Sequence, residues 1–159
     1  MRKYLLLLAA SVMMAACVTL TPEEKAQLAK AVNIALDERH YTIDIQTMTP
    51  NRGATKNVAS NWSLEVKGDT LISYLPYMGR AYNIPYGGGK GLNFTAPIKT
   101  YHESKGKKDE RRIVIEVDNE NDTHTYSLVV FDNGRADLDV QSREREFISY
   151  SGEMMMKRK

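Results

Sequence analysis

The sequence predicts an α+β domain that is mainly antiparallel β: one N-terminal helix packed on a curved meander sheet or partial barrel. A small closed β-barrel is the alternative. Three observations point there. Apolar residues recur at helical spacing over about 21–38, at Leu28, Val32, Ala35 and Leu36. From Tyr41 onward the period changes to two, as in half-buried strands. Short turn signals, Gly68-Asp69 and Asn133-Gly134, then separate strand-like runs as in consecutive hairpins. The size agrees with a single domain, since 159 residues with 42% hydrophobic and 26% charged residues form an ordinary globular balance.

The chain opens on Arg2-Lys3, a short apolar run from Leu5 to Met14 broken only by Ser11, and Ala15-Ala16 before Cys17. This order of positive, apolar and small residues predicts a signal peptide over 1–16. The run is too short to cross a bilayer, which takes about 20 apolar residues. Met14-Ala15-Ala16-Cys17 resembles the bacterial lipobox, in which a peptidase cuts before an acylated cysteine. The resemblance implies a mature lipoprotein that begins at Cys17, with fatty chains such as palmitate on it. Cys17 is the one cysteine of the chain, so no internal disulfide forms and the thiol has a use at that position. Two or more acyl chains give stable anchoring where one gives marginal binding. Val18, rather than an Asp, follows the cysteine; by analogy with sorted lipoproteins this favours the outer membrane, on its periplasmic face rather than the cell surface.

Residues 17–20 then form a lipidated tether, and a single helix-plus-β domain occupies 21–152. Thr21-Pro22-Glu23-Glu24 predicts the helix start: Thr21 as cap, Pro22 in the first turn, Glu24 closing a capping box. Its few basic residues and its Glu pair favour packing on the domain over lying in a bilayer. Tyr41, Ile43 and Ile45 alternate with polar residues, and 50–56 reads as a loop. Trp62, Leu64 and Val66 alternate next, and Gly68-Asp69 turns the chain into Leu71–Leu75. Further strands are expected at 92–102, 112–118, 123–131, 135–141 and 145–151, with a basic tail over 153–159.

Residues 73–97 concentrate four of the nine tyrosines and five of the ten glycines. Two readings stand. Tyr74, Tyr77, Arg80, Tyr82 and Tyr86 form a binding surface of rigid aromatics and a planar donor, or the tyrosines cover one end of the sheet. Gly87-Gly88-Gly89-Lys90-Gly91 is no phosphate loop, because no Ser or Thr follows Lys90 and the flanks are not strand then helix. Within this segment, S-Y-L-P-Y-M-G-R-A-Y and Y-G-G-G, followed by G-L-N-F, a late N-G-R-A and a terminal F-I-S-Y-S-G, resemble the domain of unknown function 4251 family. The similarity covers most of 40–152. It implies an exported, anchored, mostly antiparallel β protein of the kind found in Gram-negative gut bacteria, and no activity. Met78 stands where that family carries an aromatic, which softens a stacking role there.

His40, His102 and His124 lie far apart without metal-ligand spacing; His40 and His124 are expected as exposed strand residues. Asp137 and Asp139 share a strand face near Asp132 and read as solvated charges. No catalytic motif is present, so no metal and no cofactor is expected. Loss of Arg2 and Lys3 with the leader brings twenty-two basic residues down to twenty, matching the twenty acidic ones. A neutral surface gives no field for nucleic acid. The expectation is a non-enzymatic envelope lipoprotein of unknown activity, partnered by the membrane through its anchor and by an envelope protein or a small apolar ligand. A structural subunit of an envelope complex and an unrecognised hydrolase are the alternatives.

Overall fold

The computed structural model describes residues 20–59, 61–82, 91–107, 110–119 and 122–156. The leader, Cys17, Tyr86 and residues 157–159 of the tail lie outside them. Helix α1 (Pro22–Asp37) begins as its sequence requires: Thr21 and Glu24 make the reciprocal capping box, with Pro22 in the first turn. Among the described residues nine strands follow: β1 (His40–Pro50), β2 (Lys56–Asn57), β3 (Ser63–Lys67), β4 (Thr70–Leu75), β5 (Leu92–Lys105), β6 (Arg111–Asn119), β7 (Asp122–Val130), β8 (Arg135–Ser142) and β9 (Ile148–Met154). The last strand starts later than the periodicity suggests and runs to Met154, because 143–147 connect β8 to β9.

Every strand pairing is antiparallel, in the order β2-β1-β3-β4-β5-β6-β7-β8-β9, and β9 also pairs with β1. Setting aside two-residue β2, eight strands therefore close into a meander barrel, the tighter of the two predicted forms. Closure removes the unpaired edges that an open sheet exposes. It happens at a bend. Between Ile45 and Thr47 the register of β1 shifts by a bulge, and Gly152 of β9 lies against that kink. A Cβ on Gly152 would clash with the Asp44 carbonyl oxygen and stand 2.9 and 3.1 Å from the Asp44 carbonyl carbon and Ile45 Cα. No side chain fits there.

One rim of the barrel, here the lower, carries the turns at Gly68-Asp69 and 131–134 and the bond from the Gly106 amide to the Glu110 carbonyl that joins the ends of β5 and β6. Gly134 supplies the positive φ of +81° that the turn at 131–134 needs. Helix α1 crosses this mouth. Its Val32 and Leu36 are buried, Val32 Cγ2 lies 4.0 Å from the place of a Gly134 Cβ, and the Gly68 amide bonds the Arg39 carbonyl. Arg111 of β6 donates to Asn33 and Asp37 and pairs with Glu103. The inward positions alternate along each strand, most regularly on β8. Eight-stranded barrels of this type are just wide enough for side chains to fill or for one small ligand. Here Ile43, Leu64, Val66, Ile113, Ile115, Leu128 and Leu138 occupy the interior.

Candidate functional site

The upper rim holds the motif that runs from Ser73 to Tyr82. Leu75 is the last buried residue of β4, and Pro76, without an N–H, ends the ladder. The buried Tyr150 of β9 donates its hydroxyl to the Pro76 carbonyl at 2.7 Å. Tyr77 is half-buried, with its hydroxyl 2.9 Å from the Arg80 carbonyl and 3.2 Å from that of Glu146. Burial raises its pKa. Gly79 permits this turn, since a Cβ there would stand 2.6 Å from the Tyr77 hydroxyl.

The same turn is stitched to 144–146. The Glu146 carboxylate, in a residue 9% exposed, accepts from the Arg80 amide at 3.1 Å. The Glu146 amide bonds the Arg80 carbonyl, and the Tyr82 amide bonds that of Glu144. Arg145 bridges Ala81 and places its guanidinium 5.4 Å from the Tyr77 ring centre. Around the wall β4 and β9 are separated by β3 and β1. A link between their upper ends therefore spans the mouth. Residues 76–82 are a strap over the barrel.

Beneath the strap the interior turns polar. Ser73 Oγ donates to the Leu92 carbonyl at 2.6 Å and accepts from the Tyr126 hydroxyl at 3.1 Å. Desolvation raises the Tyr126 pKa. His124 is 1% exposed. This corrects the expectation that it lies on the surface; only His40 and His102 are exposed. Its ring is 4.9 Å from that of Phe94, its Nε2 is 3.6 Å from Asp122 Oδ2, and its Nδ1 makes no hydrogen bond within the protein. Asp122 also accepts from Ser142 Oγ at 2.5 Å and from the amides of Arg143 and Glu144 at 3.1 and 3.2 Å. The carboxylate thus stands between serine and histidine. A serine nucleophile needs the imidazole on its own hydroxyl, and here Ser142 gives its proton to Asp122. The arrangement orders the β8–β9 connection.

His124 carries a pH signature. Burial holds its pKa below the ordinary value of 6.5; Asp122 opposes this and Arg145 adds to it. The unfolded chain therefore takes up the proton first as pH falls, and stability declines from about 6.5 downward until the folded imidazole also titrates. His124→Gln should flatten the loss of urea midpoint between about pH 7 and pH 5. An unchanged slope would assign the acid sensitivity to other groups.

Outside the mouth, Trp62 and Tyr74 stack with ring centres 4.6 Å apart and 22° between planes. Tyr74 and Met78 are exposed, and Tyr82 is 69% exposed. Lys56 Nζ lies 3.2 Å from Met78 Sδ. The structure thus brings Tyr74, Tyr77, Arg80 and Tyr82 to one rim, with Tyr77 turned toward the core and the other three outward. Asp137 and Asp139 lie on the outer wall. Trp62, Asp122, His124, Ser142 and Glu146 went unnoticed as members of this end. For His124 the signal was present: it shares the phase of Tyr126, Leu128 and Val130 on one strand.

Among the described residues, no group of three His, Cys, Asp or Glu side chains is placed to hold a metal ion. Nor is any helix long and apolar enough to cross a membrane.

No curated protein matches the chain. Among solved structures it is similar to the crystal structure of a DUF4251 family protein from Bacteroides eggerthii DSM 20697. The TM-score is 0.62 at 15% identity, over 82% of this chain and 88% of the other. At that identity the likeness speaks for the fold. The profile of the domain of unknown function DUF4251 matches residues 23–154, from the first turn of α1 to the end of β9. The chain belongs to the DUF4251 family.

Proposed function

We propose that the protein is an envelope lipoprotein, held at the outer membrane through acylated Cys17, whose barrel binds a partner protein or a small apolar ligand at the strapped rim. One observation carries the binding half of this reading: the strap turns Tyr77 half-buried against the core yet leaves Tyr74, Met78 and Tyr82 exposed beside Trp62. Exposed rigid aromatics gathered at one rim are the residues that dominate binding surfaces. Arg80 adds a planar charged donor among them. The anchoring half rests on the leader and on the placement of Cys17 after two small residues.

Each half has its own test. Cys17→Ser should abolish incorporation of an alkyne-palmitate analogue and release the protein from the membrane fraction; retained label would end the anchoring reading. A Tyr74→Ala/Tyr82→Ala double variant should keep its urea midpoint, since both side chains are exposed, while losing partners captured by in-cell crosslinking. Identical crosslinked species from variant and parent would remove this rim as the binding surface.

A further inference from the structure

We propose that Asn133 is a site of covalent modification, open in the unfolded chain and locked in the folded barrel. Its side-chain amide closes on the Gly134 nitrogen and hydrolyses to aspartate and isoaspartate. The proposal is independent of the anchor and of the strapped rim. Asn133 is the one asparagine of the chain that glycine follows, and glycine leaves the attacking nitrogen uncrowded because it has no Cβ. In the reaction the Gly134 amide gives up its proton and its nitrogen attacks the Asn133 side-chain carbonyl carbon. A C–N bond forms, ammonia leaves and a cyclic imide remains. Water then opens the ring. Cleavage of the new C–N bond gives aspartate. Cleavage of the original peptide bond gives isoaspartate, whose main chain runs through the side-chain carbons. Water is the only co-reactant, and nothing is oxidised or reduced.

The structure supplies the lock. Asn133 lies at the surface, so burial does not protect it. Its turn does, because both reacting groups are already held. The Gly134 amide donates its proton to the Phe131 carbonyl at 2.8 Å. Asn133 Oδ1 accepts from the Arg135 amide at 3.1 Å. Attack needs that proton removed and that side chain turned, so it waits on local opening, as amide exchange does. Three neighbours resist the opening. The Phe131 amide bonds the Arg135 carbonyl at 2.9 Å, and the Met154 amide of β9 bonds the Gly134 carbonyl at 2.7 Å. Val32, one of the two plugging residues of α1, packs toward Gly134. These contacts also decide what the product does. Isoaspartate adds a carbon to the main chain at 133, which shifts Gly134 out of register with Phe131 and Met154. A chain that stays unfolded for long is thus marked as one that cannot close its lower rim.

The test ages the full chain at mildly alkaline pH, in buffer and in guanidinium chloride. Residue 133 is followed by peptide mapping with isoaspartate-specific enzymatic methylation. Conversion should be at least about ten-fold slower in buffer, since only the opened fraction reacts. Equal rates in the two solvents would overturn the lock, and no conversion in guanidinium chloride would overturn the site itself. Refolding by dilution reads the consequence. The fraction of aged chains that regains near-ultraviolet dichroism should fall as isoaspartate accumulates. Asn133→Gln, whose longer side chain cyclises far more slowly, should refold fully after the same ageing. Asn133→Asp should also refold, although it carries the charge of the ordinary product. Aged parent that refolds as well as Asn133→Gln would overturn the claim that the modified turn cannot close. Failure of fresh Asn133→Asp to refold would overturn isoaspartate as the cause.

Discussion

Gly152→Ala is expected to cost at least about 3 kcal/mol, the upper end of what overpacking a rigid site brings. The reason is what the added methyl meets. Most overpacked cores yield by turning a flexible side chain, but here the obstacle is the Asp44 carbonyl, with Ile45 Cα behind it. Both belong to backbone already committed to the β1 bulge and to pairing with β9. Relief requires β9 to move away from β1, which breaks the pairing that closes the barrel. The measurement is a urea titration followed by Trp62 fluorescence, with near-ultraviolet dichroism to report tertiary packing. A midpoint equal to the parent's would show that the closure tolerates a side chain and that the bend is not held by Gly152.

The second large effect is expected at the opposite end of the chain. Leu36→Ala should destabilise the protein by about 2–5 kcal/mol, the range for a fully buried leucine whose surroundings cannot collapse. Leu36 is 0% exposed although it sits on a helix whose first two turns are exposed. It is held because α1 lies across the lower mouth and inserts Leu36 and Val32 as a plug. The barrel wall is hydrogen-bonded all round and will not contract to fill the space. Ile34→Ala, on the outward face of the same helix, should change stability by no more than about 0.5 kcal/mol. Equal losses at 34 and 36 in thermal melts would mean that helix propensity, not the plug, sets the cost.

Much of this fold was legible before the structure. The capping box, the helix and the turns at Gly68 and Gly134 are local features, and local residue chemistry dictates them. The alternation that identified the strands also fixed which side chains face inward. Closure was less legible, because it depends on β1 finding β9 across the whole chain, and the cue is one small residue, Gly152, in a terminal motif. His124 was misplaced because a titratable side chain was weighed by its type and not by its phase on β7. Its immediate neighbours in phase, Tyr126 and Leu128, already pointed to the interior. The rim residues were named from their concentration in 73–97, yet their division into support and display was not. That division comes from Glu146 and Tyr150, whose contacts with Arg80 and Pro76 span more than sixty positions and leave no trace in local pattern.

The pairing of β1 with β9 also governs the order of events when the protein is made. A ribosome delivers the N-terminus first, so residues 43–50 must wait for their partners 148–154, roughly a hundred positions further along the chain. Local hairpins such as β3–β4 have no such delay, whereas the hoop itself has the slow character of contacts distant along the chain. Until then β1 lacks its last neighbour, and the barrel wall stays open between β1 and β8. Loss of β9 would leave it in that state.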